Sequence, residues 1–319
     1  MPINEGFNRL DVSHLIFKNM KKNLLALIVI IFLPVLNYAQ KKPADISGSS
    51  KTLEEKVKAE IGDFQGKVWI YAKNLDTGRD YSMRASEQVR TASTIKLPIM
   101  TEVFHQVAEG KIKWTDEFPL TGKQGGSGVL GEFSNNLKID LKTAMHLMIV
   151  VSDNTATNMI LDKISSNSVN AFMDSLGLNQ TRSLRKVGGG GDAKAFDEPL
   201  NKLFGIGVSS PKDMAKLLEM LERGEVVSKE ASAEMIAILK RQQYTDGVGR
   251  NLLDTVPVAS KSGALDRLRS DVGIVYTRRG RIAIAITVDD MPVVHYSMDN
   301  KGNELIWRLS VILQEGLAK

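Results

Sequence analysis

A serine and a lysine three residues apart are the side chains of this sequence whose types and spacing best suit catalysis. Ser93 and Lys96 lie in the segment TASTIK, and the apolar residues behind them predict a buried helix from Ser93 to Val107. Residues three apart share one face of a helix. A serine hydroxyl is a weak nucleophile until a base takes its proton, and burial prepares a lysine for that task by lowering its pKa. The pair therefore predicts Ser93 as nucleophile and Lys96 as its base.

The spacing alone does not decide the matter, because it occurs twice more. Ser183 and Lys186 have the same separation in a polar, glycine-rich stretch, and so do Ser209 and Lys212. The second of these pairs resembles a helix start, with Pro211 at the first helical position. Support for Ser93 must come from other parts of the chain.

Two further motifs carry polar groups of the right kind. The triplet Ser152-Asp153-Asn154 ends an apolar helical stretch, residues 141–151. Serine and aspartate are also ordinary helix caps, so a purely structural role for this triplet stays open. Lys261-Ser262-Gly263 follows a predicted strand, residues 256–261, and no other Lys-Ser/Thr-Gly occurs in the chain. Together the three motifs supply hydroxyl, amine and amide groups.

Composition excludes several classes of chemistry. The 319 residues include no cysteine, which removes a thiol nucleophile, disulfides, thiolate metal ligands and a lipidated N-terminal cysteine. The four histidines form no His-Glu-x-x-His pattern, so a zinc hydrolase is not expected. We expect neither a metal nor another cofactor.

The net charge of +5 is placed unevenly. Residues 1–42 hold six basic and two acidic side chains, so the remainder is almost neutral. A nucleic-acid-binding surface would need a basic patch in the folded body. None is visible in the sequence, and we expect no nucleic-acid partner.

An apolar segment near the N-terminus predicts export. Residues 24–36 form a run of 13 uncharged residues behind Lys21 and Lys22, and Pro34 interrupts it. A helix that crosses a membrane needs about 20 such residues. A short apolar run behind basic residues is typical of a secretory signal peptide.

The signal peptide is expected to span residues 1–40, with cleavage near Ala39. Met20 is an alternative start of translation, and an uncleaved membrane anchor stays the alternative to cleavage. Residues 41–50 are expected to form a polar linker. Both alternatives place the body of the protein in the periplasm or outside the cell.

Periodicity predicts strands at both ends of the body and helices between them. The predicted strands are residues 67–73, a return strand from residue 81, 256–261, 272–276 and 282–288. The predicted helices are residues 52–61, 93–107, 141–151, a second helix that follows this one through residue 164, 170–176, 211–222, 228–240 and 304–317.

The simplest packing of these elements is an α+β fold. One antiparallel sheet would join both ends of the body and be flanked by the terminal helices, with an all-helical lobe beside it. We expect a single domain over residues 51–319. Its α/β lobe would comprise residues 51–90 and 245–319, its helical lobe residues 91–244, and the active site would lie between them.

The three motifs, taken in order, resemble those of the penicillin-recognising serine hydrolases, and most closely those of class A β-lactamases. The motifs are Ser93-Thr94-Ile95-Lys96, Ser152-Asp153-Asn154 and Lys261-Ser262-Gly263. The resemblance extends from about Thr52 to Leu317, and the interval before the third motif is somewhat long.

The resemblance implies a role for each motif. Ser93 would form an acyl-enzyme, Lys96 would accept its proton, and Ser152 would pass a proton to the leaving nitrogen in surroundings that Lys261 keeps cationic. The N–H groups of Ser93 and Ala264 would hold the oxyanion. The substrate-binding residues would be Asn154 for a side-chain amide, and Ser262, Gly263 and Arg250 around a carboxylate. For Arg250, a solvated loop arginine is the alternative.

The sequence departs from the family at the group that activates the deacylating water. Class A β-lactamases carry Glu-x-x-Leu-Asn there. In this chain Asp197 stands at the spacing of the glutamate before Leu200 and Asn201, and Glu198 comes one place later. Either carboxylate could remove the acyl group if the loop adjusts. Without one, the acyl-enzyme would persist, as in penicillin-binding proteins.

Three functions follow as alternatives. The first is a serine β-lactamase that hydrolyses a cyclic amide. The second is a DD-peptidase or penicillin-binding-type enzyme with slow deacylation, and the third is a non-catalytic envelope protein that uses the fold for binding. The expected ligand is a β-lactam or a peptidoglycan-like small substrate, and we expect a monomer whose only contact with a membrane is an uncleaved N-terminal segment.

Overall fold

The computed structural model describes residues 51–250, 252 and 255–318. The signal peptide and linker predicted for residues 1–50 lie outside this part of the chain. The described residues form one compact unit. No helix among them is long and apolar enough to cross a membrane.

The elements follow one another in the order that the sequence predicts, with additional short ones. They are α1 (Leu53–Ile61), β1 (Lys67–Asn74), β2 (Asp80–Met83), β3 (Val89–Arg90), α2 (Lys96–Ala108), β4 (Glu117–Pro119), β5 (Lys138–Asp140), α3 (Leu141–Val150), α4 (Asn154–Ile164), α5 (Ser166–Ser175), β6 (Arg182–Ser183), β7 (Gly207–Ser209), α6 (Pro211–Glu222), α7 (Lys229–Leu239), β8 (Val258–Leu265), β9 (Leu268–Thr277), β10 (Gly280–Asp289) and α8 (Lys301–Leu317).

The main sheet joins both ends of the body, which confirms the predicted α+β fold. Its five strands are antiparallel and run in the order β2-β1-β10-β9-β8. The pair β1–β10 brings the first strand of the body beside the last, with Lys67 opposite Asp289. β8 lies at one edge of this sheet, opposite to the edge that β2 forms, and it carries the third motif.

Apolar side chains cover both faces of the sheet. One face packs against α1 and α8 through residues such as Val57, Ile284 and Leu309. The other face joins the central helices in a larger core, in which Ile274 of β9 packs in one cluster with Met145 of α3. The predicted lobes therefore share a continuous core, and burial of this apolar surface holds the helices against the sheet.

The segment around Ser93 differs in detail from the predicted helix. Residues Ala92–Ile95 form a 3₁₀ turn, and the α-helix begins only at Lys96. Pro98 lies in the first turn of α2, where backbone N–H groups have no partner within the helix, so its missing N–H is tolerated. The irregular part is the turn that presents Ser93.

Candidate active site

Lys96 joins the first motif to the second. The side chain is fully buried, and its Nζ lies 2.7 Å from the Ser152 carbonyl oxygen and 2.8 Å from Asn154 Oδ1. A third contact, of 3.2 Å, joins Nζ to Ser152 Oγ. The fold thus brings together residues that are more than fifty positions apart in the sequence.

The surroundings of Lys96 suit a base. Burial, and then the charge of Lys261, lower the pKa of Lys96 well below its ordinary value, against a smaller raising effect of Asp153. A neutral amine has two protons to donate, and the carbonyl of Ser152 and the amide oxygen of Asn154 can take both. Its lone pair is then free for a hydroxyl group, which is what a proton acceptor requires.

Gly263 lies directly against the turn that carries Ser93. A Cβ atom on Gly263 would come within 2.8 Å of the Thr91 carbonyl oxygen and 3.0 Å of the Ser93 backbone nitrogen. The third motif therefore needs glycine at this position to approach the first. Ala92, just before Ser93, has a left-handed φ of 46°, a strained conformation that recurs at functional sites.

Ser93 itself is half-buried at this junction. Its hydroxyl makes no hydrogen bond to any residue that the structure describes. The hydroxyl of this candidate nucleophile is thus left unpaired, while its candidate base is held by other groups.

Lys261 is the second fully buried lysine of the site. Its Nζ donates to the Ser262 carbonyl oxygen at 2.8 Å. Burial lowers the pKa of Lys261 to about 7, against the raising effect of Asp271. Beyond it on the same strand, Ser262 is half-buried and Ala264 is exposed, so the edge of β8 presents its backbone beside Ser93.

The second motif does more than cap a helix. Asp153 accepts from the Ala156 N–H at 2.8 Å, as the cap of α4. Its other oxygen accepts from the N–H groups of Val129 and Leu130, at 2.7 and 2.8 Å. A Cβ on Gly128 would collide with this carboxylate. The glycine-rich stretch 125–131 is therefore bound to the triplet.

Ser127 is a residue of this site that the sequence analysis did not identify. Its Oγ donates to the Ser152 carbonyl oxygen at 2.6 Å, the same oxygen that Lys96 contacts. The Asn154 N–H donates in return to the Ser127 carbonyl oxygen at 3.2 Å. Ser152 adopts a left-handed φ of 54° between these bonds. The only sequence signal for this contact is the position of Ser127 within the glycine-rich stretch 125–131.

The two competing serine–lysine pairs have structural roles. Ser183 is buried in β6, where its hydroxyl donates to Ser166. Ser209 is a buried strand residue opposite Val89, and Ser210 caps α6. Neither pair lies at the junction of the three motifs.

Arg250 lies on the loop before β8 and donates from a guanidinium nitrogen to the Met298 carbonyl oxygen at 2.8 Å. This contact holds the loop that precedes α8. A role for Arg250 in binding a substrate carboxylate stays a prediction.

The structure does not bring Asp197 or Glu198 to the lysines. Both side chains are exposed, and neither forms a hydrogen bond or ion pair with any residue in the described ranges. This loop contacts α4 through Lys186, which pairs with Asp162 at 2.7 Å, and through Val187, whose N–H and C=O are both bound by the Asn158 side chain at 2.9 Å. Asn158 is one helical turn beyond Asn154, so the loop residue bound at this part of α4 is a valine and not an acidic residue.

Among the residues that the structure describes, no three His, Asp or Glu side chains come together as a metal site. The groups assembled here are a serine hydroxyl, two buried amines, a second serine and an amide. Such a set can move a proton from one hydroxyl to another acceptor and surround a developing negative charge with cations.

Solved structures with the same fold are numerous. A beta-lactamase from Sphaerobacter thermophilus is 28% identical, with a TM-score of 0.72 over 83% of this chain and 96% of that one. PBP-A is 25% identical, with a TM-score of 0.70 over 82% and 94%. A class A beta-lactamase from Mycobacterium abscessus shares the fold at 19% identity, with a TM-score of 0.69 over 83% and 98%.

No curated protein sequence matches this chain. The family comparison is more informative, since residues 52–317 match the family described as the beta-lactamase enzyme family. This match spans the three motifs and nearly all of the described fold. The chain belongs to the beta-lactamase enzyme family.

Proposed function

We propose that this protein is a serine hydrolase that opens the amide of β-lactams through an acyl-enzyme on Ser93. The observation that carries the proposal is the position of Lys96. This lysine is fully buried, its pKa is strongly lowered, and it contacts Ser152 and Asn154 at the junction where Gly263 meets Ser93.

Acylation then proceeds by three proton transfers. Ser93 Oγ attacks the carbonyl carbon while Lys96 Nζ takes the hydroxyl proton, and the backbone N–H groups of Ser93 and Ala264 bind the oxyanion. The carbon–nitrogen bond breaks when Ser152 gives its proton to the leaving nitrogen, and Lys96 returns a proton to Ser152. Water later attacks the ester carbon, and Ser93 leaves with a proton restored to its oxygen.

The binding groups are assigned by their chemistry. Asn154 would bind the side-chain amide of the substrate, and Ser262 with Arg250 would bind its carboxylate. The basic, apolar N-terminal segment supports export, so the proposed location is the periplasm or the exterior of the cell.

A second candidate is a penicillin-binding enzyme that deacylates slowly. The exposed position of Asp197 and Glu198, with Val187 beside α4, favours it because no carboxylate of the described chain contacts Lys96 or Ser152. PBP-A, which shares the fold at 25% identity, supports this second candidate. The two candidates share acylation and differ in the lifetime of the ester.

Mass spectrometry and turnover of a chromogenic cephalosporin test both candidates. The wild type should gain the mass of one fluorescent penicillin, and Ser93→Ala should lose at least 99% of this labelling while its circular dichroism stays unchanged. Labelling of Ser93→Ala at the wild-type rate would show that the nucleophile lies elsewhere. A wild type that is never acylated would favour a non-catalytic binding protein.

The same assay separates hydrolysis from slow release. Steady turnover that falls at least tenfold in Asp197→Asn or Glu198→Gln would assign the water-activating base to that carboxylate. A burst of one equivalent without further turnover, unchanged in both variants, would identify the slow enzyme.

A further inference from the structure

A small buried cavity lies between the turn that presents Ser93 and the main sheet. Its volume is about 10 Å³. Six of the side chains that line it carry a hydroxyl group, namely Thr91, Thr94, Ser209, Ser210, Ser270 and Thr287. All six residues are buried. The cavity is therefore polar, although it is enclosed by the core.

The strand register places this cavity behind the Ser93 turn. Gly263 is paired with Ser270, and Ser270 is paired with Thr287, so the three residues share one face of the sheet. Gly263 is the residue that lies against the backbone of Ser93. The hydroxyl groups of Ser270 and Thr287 therefore lie in the same row of the sheet as the glycine that contacts the turn.

Thr91, just before the turn, has a hydroxyl group that the protein does not satisfy. The residue is 1% exposed, and its Oγ1 has no hydrogen-bond partner among the described residues. The backbone of Thr91 is bound on both sides, since its N–H donates to the Gly207 carbonyl oxygen at 3.1 Å and its carbonyl oxygen accepts from Thr94 Oγ1 at 2.8 Å. A buried hydroxyl group without a partner is rare and destabilises the folded state, so this group calls for a partner in the cavity.

The neighbouring hydroxyl groups have hydrogen-bonding capacity to spare. Ser209 Oγ contacts Thr181 Oγ1 at 2.8 Å, and Ser270 Oγ contacts Thr287 Oγ1 at 2.8 Å. A hydroxyl group donates one hydrogen bond and accepts two, so these pairs leave acceptor positions free. A cavity holds a water molecule if it offers about 10–15 Å³ and two to four polar partners. This cavity meets both conditions.

We propose that one water molecule binds in this cavity as a permanent part of the fold, that Thr91 Oγ1 is one of its partners, and that it holds the turn that presents Ser93. The turn needs such support because Ala92, between Thr91 and Ser93, has a strained left-handed φ of 46°. Thr91 is then a positioning residue that touches no reacting atom. The water site does not depend on catalysis, whereas its effect on Ser93 rests on the proposed function.

A crystal structure of the wild type at high resolution tests the water site. We expect one ordered water molecule within hydrogen-bonding distance of Thr91 Oγ1 and of a second hydroxyl group, on β7, β9 or β10. A cavity without electron density, or a Thr91 hydroxyl group bonded to the protein, would overturn the proposal.

Thr91→Val removes the hydroxyl group and nearly keeps the shape of the side chain. Thr101→Val is the matched control, because Thr101 is also fully buried but its hydroxyl group donates to the Pro98 carbonyl oxygen at 2.7 Å. Oxygen-17 relaxation of the solvent counts the long-lived water molecules of each variant. Thr91→Val should have one fewer than the wild type, and Thr91→Ser and Thr101→Val should have the same number. Equal counts in the two valine variants would contradict the assignment of Thr91 as a partner.

Acylation kinetics test the link to Ser93. Labelling by a fluorescent penicillin at increasing concentration separates non-covalent binding from the acylation step. Thr91→Val should slow acylation at saturation by about fivefold or more with binding unchanged, because a small displacement of the nucleophile is enough for such a loss. Thr91→Ser should restore the wild-type rate, and Thr101→Val should keep it.

The outcomes separate the water site from the proposed function. A folded Thr91→Val variant that lacks the water but is acylated at the wild-type rate would refute the support of the turn. A wild type that contains the water but is never acylated would retain the site and refute the proposed function.

Discussion

Two lysines, Lys96 and Lys261, are among the largest side chains that the fold buries completely. Burial disfavours the ammonium form, so each lysine weakens the folded state at neutral pH. Hydrogen bonds to Ser152, Asn154 and Ser262 offset only part of this effect. Lysines buried in this way are typical of sites where proton transfer is the purpose.

The rate of acylation should therefore follow a bell-shaped pH profile. The rate should rise with pH while Lys96 loses its proton, because only the neutral amine accepts the proton of Ser93. It should fall again as Lys261, with a pKa of about 7, becomes neutral. Stopped-flow labelling between pH 5 and pH 10 measures both limbs, and a rate that does not change with pH would contradict the assignment of Lys96 as base.

At the scale of elements, the turn between α3 and α4 organises one side of the site. Asp153 caps α4 and also binds the loop at Val129 and Leu130. Ser127 and Ser152 close the same loop onto Lys96. One buried carboxylate thus holds the loop, the helix start and the proton-transfer residues in a single arrangement.

Replacing Asp153 with alanine should destabilise the protein by about 3 kcal/mol, because three N–H groups lose a charged acceptor. Urea unfolding measures this change. Asp140→Ala is the matched control, since Asp140 caps α3 through one bond to the Thr143 N–H. That variant should lose only about 1 kcal/mol. Equal losses would show that the bonds to the loop contribute nothing.

Val187 is the place where one substitution should change the lifetime of the acyl-enzyme. Its backbone is bound by Asn158, one turn of α4 beyond Asn154. A carboxylate at this position would be held beside the site, where it could activate water. Val187→Glu should shorten the half-life of the penicilloyl ester at least tenfold, measured by mass spectrometry, and Val187→Gln should not. Identical half-lives in the two variants would show that a carboxylate at this part of the loop does not activate the deacylating water.

On the scale of the whole molecule, the site lies where three distant parts of the chain meet. The start of α2, the α3–α4 turn and the edge strand β8 supply one motif each. The shared core of helices and sheet holds them in contact. Stability gained across this core offsets the unfavourable burial of the two lysines, which is the usual exchange of stability for function.

Lys96→Met should therefore make the protein more stable and inactive. The pKa of Lys96 is lower in the folded state than its ordinary value of 10.5, so stability is lost as the pH falls from there toward the folded-state pKa. The variant should raise Tm by about 3 °C at pH 7, as roughly 1 kcal/mol does in a chain of this size, and the gain should shrink toward pH 10.5. The exposed Lys58→Met is the control and should change Tm little. A lower Tm for Lys96→Met would contradict the argument.

Much of the fold follows from local sequence patterns. The Thr52 and Glu55 pair forms the capping box of α1, and Ser210 with Pro211 starts α6 where the residue types predict it. The alternation in β9 and β10 predicts their hairpin, although both strands extend further than the pattern indicates. These features depend on interactions between residues that are close along the chain, and such residues can be read directly from the sequence.

By itself, the sequence determined the order of the elements, the three motifs and the pairing of both ends of the body in one sheet. Only the tertiary structure decided that Ser127 binds the Ser152 carbonyl oxygen, that Val187 lies beside α4, and that Gly263 lies against Ser93. Those contacts join residues from separate segments, and the separation of two residues along the chain does not determine the distance between them in the folded core. The physical reason is that motifs obey local periodicity, whereas burial and charge depend on every segment that packs around them.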